Sequence, residues 1–137
     1  MRVPPPNSLH GIELRRRFSV VKAMLGEPEN ADYSPIEEGP RFGHYTWTVH
    51  GISILTWLTD DDEFVWGVRV ERVGPADPAL GFAVGGTRQD VLARFPDGWR
   101  KHGDALQIVF DGGSLTISFD GDRVSRIELM APMGGTE

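Results

Sequence analysis

The chain has 137 residues, with 14 Lys and Arg against 20 Asp and Glu and a formal net charge of −6. That length suits one ordinary domain able to bury a core unaided, and the absence of Cys excludes disulfides, zinc–thiolate sites and cysteine nucleophiles. Residues 1–74 carry 8 basic and 11 acidic side chains and residues 75–137 carry 6 and 9, so each half is −3 and neither has the clustered cations that non-specific nucleic-acid binding needs.

Residues 1–8, with Pro4, Pro5 and Pro6, predict an extended lead-in without the apolar core of a signal peptide. No later run approaches the ~18 apolar residues of a membrane span, so a soluble, cytoplasmic protein with no membrane partner is expected. Residues 8–12 suit a short edge strand. Residues 15–25 predict a helix, with Phe18, Val21, Met24 and Leu25 at helical spacing. Residues 27–43 hold three Pro, two Gly and five carboxylates and read as one long loop, a length that is often functional inside a compact domain. His44 to Val49 alternates, with Tyr45, Trp47 and Val49 on one face. Strands at 52–58 and 64–73 follow, joined by an acidic turn of Asp60, Asp61, Asp62 and Glu63.

After a linker at 74–78 the pattern recurs. Residues 11–25 align without a gap on residues 81–95, with Ile12 on Phe82, Leu14 on Val84, Val21 on Val91 and Leu25 on Phe95. A helix is predicted over 87–95, with Thr87 as N-cap and Asp90 in its first turn. Strands are predicted at 106–110, 115–119 and 123–130, with Gly and Asp supplying the hairpin turns at 111–113 and 120–122. The fold class expected from this pattern is α+β: two tandem helix-plus-antiparallel-meander repeats, 9–73 and 79–130, each one helix and three strands. Residues 131–137 form a tail, and the helices pack on one face of a shared or paired sheet within one compact domain. Ile108, Ile117, Ile127, Val91 and Phe95 are expected in the core.

Leu55 and Trp57 depart from the alternation, because strand geometry places them with Ser53 on the polar face. A large apolar pair on an open sheet face suits a contact surface; a bulge that turns the pair inward, or cover by residues 27–43, is the competing reading. Two acidic groups flank the pair: Glu27, Glu29, Asp32, Glu37 and Glu38 in the long loop, and Asp60, Asp61 and Asp62 in the hairpin. As solvated turns they need no function. As a rim they would complement a basic partner and speed its association. His10, His44, His50 and His102 have no metal-ligand spacing, Ser114 sits in no nucleophile motif, and residues 81–86 match no phosphate-binding loop. Arg15, Arg16 and Arg17 spread round the predicted helix as a solvated face. No cofactor and no catalytic residue are expected.

The order of a Gly-containing lead, a helix ending near Gly26-Glu27-Pro28 or Pro96-Asp97-Gly98, and an antiparallel meander closing on Asp122-Arg123-Val124-Ser125-Arg126-Ile127-Glu128-Leu129 resembles the outer-membrane small-protein-A domain. Its tandem form resembles the β-lactamase inhibitor protein fold. The resemblance implies a non-enzymatic binder that grips its target with an aromatic-rich sheet surface. The sequence has no Cys for a lipobox or for disulfides, and no leader is expected, which favours the cytosolic version of such a binder. The expected function is therefore a protein-binding module of the bacterial immunity or inhibitor type. Its expected contact residues are Leu55, Trp57, Asp60, Asp61, Asp62, Glu37 and Glu38, and its expected partner is a toxin or enzyme with a basic surface. An assembly subunit and a small-ligand carrier are the alternatives.

Overall fold

The protein is described by a computed structural model over residues 8–33, 41–59, 61–75, 77, 80–96, 98–103, 105–110 and 112–131. Strands β1 (Ser8–Leu9) and β2 (Ile12–Glu13) form a small ribbon before helix α1 (Phe18–Leu25). Then come β3 (Asn30–Tyr33), β4 (Arg41–Trp47), β5 (Ile52–Leu58) and β6 (Glu63–Val70). Helix α2 (Arg88–Arg94) precedes β7 (Trp99–His102), β8 (Ala105–Phe110), β9 (Gly113–Asp120) and β10 (Arg123–Met130). Strands β3 to β10 make one antiparallel sheet in the order β3-β4-β5-β6-β10-β9-β8-β7.

This architecture corrects the expected fold class. Among the described residues strand accounts for 52% and helix for 14%, so the molecule is a mostly β protein built on one eight-stranded sheet, not two helix-plus-three-strand repeats. Two strands were illegible in the sequence. β3 and β7 are four-residue edge strands reading Asn-Ala-Asp-Tyr and Trp-Arg-Lys-His. An edge strand has one neighbour, tolerates charge on both faces and so lacks clean alternation. The expected long loop at 27–43 thus contains β3 and the start of β4.

The central strands β6 and β10 pair from Gly67 opposite Met130 to Val70 opposite Ile127, and the Ala131 N–H adds one more bond to the Trp66 carbonyl at 2.8 Å. Beyond that stretch each strand finds its neighbour in the segment that leads into a helix. The Arg15 N–H donates to the Val65 carbonyl and the Val65 N–H to the Arg16 carbonyl, at 2.7 and 2.8 Å. At the other end, the Gly85 N–H donates to the Val124 carbonyl and the Val124 N–H to the Gly86 carbonyl, each at 2.8 Å. Both leads turn through positive φ, 67° at Arg15 and 95° at Gly85. Arg15, Arg16 and Arg17 therefore belong to an extended lead and not to the helix, which begins at Phe18. Arg17 also pairs Asp62 at 3.0 Å.

Both helices cover the same sheet face. α1 buries Phe18 and Val21; Phe18 stacks on Tyr45 with ring centroids 4.2 Å apart, while the Trp47 indole N–H donates to the Gly26 carbonyl at 3.0 Å. Met24, expected on the inward stripe, is 55% exposed, because Phe18, Val21 and Leu25 already define the side facing the sheet. α2 begins at Thr87 in a capping box: its hydroxyl accepts from the Asp90 N–H, and the Asp90 carboxylate accepts from the Thr87 N–H, each at 3.1 Å. Beneath the helices, Tyr45, Trp47, Ile52, Ile54, Val65, Val68, Val70, Val124, Ile127, Leu129, Leu115 and Ile117 form a continuous core with Val91 and Phe95. Ile108 is only half-buried, on the strand next to the β7 edge. Val49 leaves the alternation for the turn after β4 and is exposed.

The Glu29 carboxylate anchors the start of β3 to that turn. Hydrogen bonds from the Thr48 side chain and then from the Val49 N–H hold this exposed carboxyl below its ordinary range. A depressed carboxyl supports the folded state above the unfolded pKa, and that support fades as pH falls through the folded value. Glu29 should accordingly titrate below an ordinary Glu in a carboxyl-resolved NMR experiment, and Thr48→Val should move its midpoint up. In the core, Ile117→Ala should cost about 2 to 5 kcal/mol by urea unfolding.

Candidate functional site

The sheet face opposite the helices has two chemically distinct parts. Its central row is polar on every strand: Asn30, Thr46, Ser53, Arg69, Glu128, Thr116, Gln107 and Arg100 lie in successive register across all eight strands. At the β6–β10 seam, Arg69 and Glu128 face each other, with Arg69 3.5 Å from Glu71 and Arg126 4.0 Å from Glu128. The seam is therefore charged and internally compensated.

Toward the β5–β6 hairpin the same face becomes aromatic. Phe42 on β4 meets Trp57 on β5 edge-on, with centroids 5.5 Å apart. Trp57 lies 4.8 Å from Trp66 on β6, and the Arg15 guanidinium sits 5.6 Å above the Trp66 ring. Phe42, Trp57, Trp66 and Arg15 thus form one row crossing three strands and the first lead. Each aromatic pair contributes about 0.5 to 1.5 kcal/mol beyond area burial. Arg15 holds left-handed backbone, which costs an L-residue roughly 1 to 2 kcal/mol, and its side chain stacks on Trp66 and donates to the Gly112 carbonyl at 2.9 Å.

A bulge creates this row. The β5–β6 register shifts between Leu55 and Thr56, so Trp66 is an extra residue beside Gly67, and both face Leu55. Leu55 and Trp57 consequently stay on the open face, half-buried, and are not turned inward. A Cβ at Gly67 would meet the Met130 sulfur, which would have to swing aside. β10 has a bulge at the corresponding place, between Val124 and Arg126. By register from the two bulges, Ser118, Asp120 and Ser125 occupy the places of Leu55, Trp57 and Trp66. Similar backbone carries an apolar surface in one half and a polar one in the other.

Of the residues singled out in the sequence, Leu55 and Trp57 are brought together with Phe42 and Trp66. Asp61 is exposed in the adjoining turn, whereas Asp62 is taken up by Arg17 and by the Glu63 N–H, which donates to it at 2.8 Å. Asp60, Glu37 and Glu38 lie outside the described residues. Sequence reasoning missed Phe42, Trp66 and Arg15. Trp66 was hidden because a bulge resets the alternation, and Arg15 because the lead resembles a helix start.

On the covered face, directly beneath this region, the Glu63 carboxylate accepts from the Tyr45 hydroxyl at 2.5 Å and from the Thr56 hydroxyl at 2.6 Å. A Cβ at Gly43 would fall 2.5 Å from the Thr56 hydroxyl and 2.9 Å from that carboxylate. The cluster fixes the ends of β4, β5 and β6 that carry the aromatic row.

Among the described residues no three His, Asp or Glu side chains gather as metal ligands would, and no helix is long and apolar enough to cross a membrane. A recess between the β1–β2 ribbon and the sheet, lined by Leu9, His10, Val70, Asp77, Val84 and Ile127, encloses about 20 Å³, room for one water. Comparison of the chain with protein-family models, curated proteins and solved structures finds no match.

Thr56→Val removes a buried donor to the Glu63 carboxylate without changing side-chain shape. Chemical unfolding should show a loss of about 1.5 to 3 kcal/mol, the range for a hydrogen bond to a charged group.

Proposed function

We propose that this chain is a non-enzymatic protein-binding module of the bacterial immunity or inhibitor type, which engages a protein partner through the open face of β4, β5 and β6. The observation that carries this reading is the aromatic row of Phe42, Trp57, Trp66 and Arg15, placed where the other half of the same face presents Ser118, Asp120 and Ser125. Trp and Arg are the side chains that most often anchor protein interfaces, and fixed rings lose little entropy when they are covered. The row is built on three paired strands rather than a loop. It suits a protein surface better than a small ligand, which needs an enclosure of roughly 300 Å³ or more.

The partner best suited to the site is a toxin or enzyme with a basic surface, because the exposed carboxylate of Asp61 borders the row and the chain carries a net charge of −6. Such rim charges act mainly on the rate of encounter.

The test is a titration against a partner captured from the native host, comparing wild type with Trp57→Ala, Thr116→Ala and the Asp61→Asn, Asp62→Asn double variant. Trp57→Ala should lose about 2 kcal/mol or more of binding energy, roughly 30-fold in affinity, with the fold unchanged by circular dichroism. Thr116→Ala, on the polar half of the face, should bind as wild type does. The double variant should associate more slowly, with a weaker salt dependence. Equal affinity for wild type and Trp57→Ala would exclude this face.

A further inference from the structure

The two edges of the sheet differ in charge. Among the described residues, β3 and β7 each have one sheet neighbour, β4 and β8 respectively. β3 carries Asp32, exposed and in register with His44 on the open face. Lys22 already pairs Glu27, and Glu29 is engaged by the turn after β4, so Asp32 is the carboxylate that β3 itself offers. β7 carries Arg100 and Lys101, both exposed, with Arg100 on the same open face as Asp32.

Like charges oppose pairing of an edge with its own kind: β7 against β7 brings four cations together, and β3 against β3 sets Asp32 near Asp32. The opposite-edge pairing is attractive. It also has the right polarity, since the directions of eight successive antiparallel strands leave β3 and β7 running oppositely. We propose that copies of this chain associate head to tail, with β3 of one copy adding antiparallel to β7 of the next and continuing the sheet. A register that sets Arg100 opposite Asp32 keeps both on the open face and sets Lys101 opposite Ala31 on the covered side. The contact is heterologous and extends as an open chain of copies unless its rotation closes a ring. With only four residues on each edge it is weak, favoured by concentration and reduced by salt, which screens exposed charges. The aromatic row of each copy stays uncovered, so this self-association is independent of the proposed partner.

Sedimentation velocity on the full chain tests it. Wild type at low salt should show a weight-average sedimentation coefficient that rises with concentration and falls back when salt is added. Amide exchange at residues 30–33 and 99–102 should slow over the same concentration range. The Arg100→Glu, Lys101→Glu variant and the Asp32→Lys variant, which change exposed side chains, should each stay monomeric. Mixed in equal amounts they should regain association, because the reversed β7 of one meets the reversed β3 of the other. A wild type that stays monomeric across the whole range at low salt would overturn the proposal. So would self-association that survives unchanged in both single-edge variants, or a mixture that stays monomeric.

Discussion

The pairing of β6 with β10 is the constraint on which the rest of the molecule depends. Among the described residues it is the strand pairing that joins the two four-stranded stretches of sheet, and its ladder runs from Gly67–Val70 against 127–130 with one further bond from Ala131 to Trp66. So short a ladder leaves backbone donors and acceptors of both strands without each other, and buried orphans of that kind are costly. The leads to α1 and α2 satisfy them, Arg15 and Arg16 at Val65, Gly85 and Gly86 at Val124. The same leads deliver Leu14 and Val84 into the core and set the helices over one face. Backbone satisfaction at the seam and burial beneath the helices are thus achieved by the same residues.

The seam also decides what is free for function. Both helices lie on one side, and the chemistry of the other face is set, among the described residues, by strand register and by the bulges on β6 and β10. At the seam the charges compensate one another. Away from it the two halves diverge: Leu55, Trp57 and Trp66 in one, Ser118, Asp120 and Ser125 in the other. Arg15 takes a conformation that its counterpart Gly85 adopts at no steric cost. Its side chain caps the aromatic row and reaches the Gly112 carbonyl in the other half of the sheet.

Much of the core was legible in the sequence, because it follows period and breaker residues. Tyr45, Trp47, Ile52, Ile54, Ile117 and Ile127 alternate as buried strands do, and Thr87 with Asp90 announces the start of α2. The displacement of Leu55 and Trp57 from the apolar face was legible for the same reason. What escaped the sequence was decided by tertiary pairing. β3 and β7 are too short and too polar to show a period, so a sheet of eight strands read as two meanders of three. Trp66 was assigned no face because a bulge adds a residue to its strand. The Arg15 to Arg17 run was read as helix because its apolar neighbours continue the helical spacing, while its hydrogen bonds go to a strand some fifty residues later in the chain.

Native-state hydrogen exchange at the seam tests the account most directly. If the sheet is continuous and held at β6–β10, the amides of residues 67–70 and 127–130 that bond across the seam should be among the slowest to exchange. They should open only in the same global event, with the same denaturant dependence, as the core amides of β5 and β9. Early exchange at the seam, with β3–β6 and β7–β10 opening in separate events of different free energy, would contradict it.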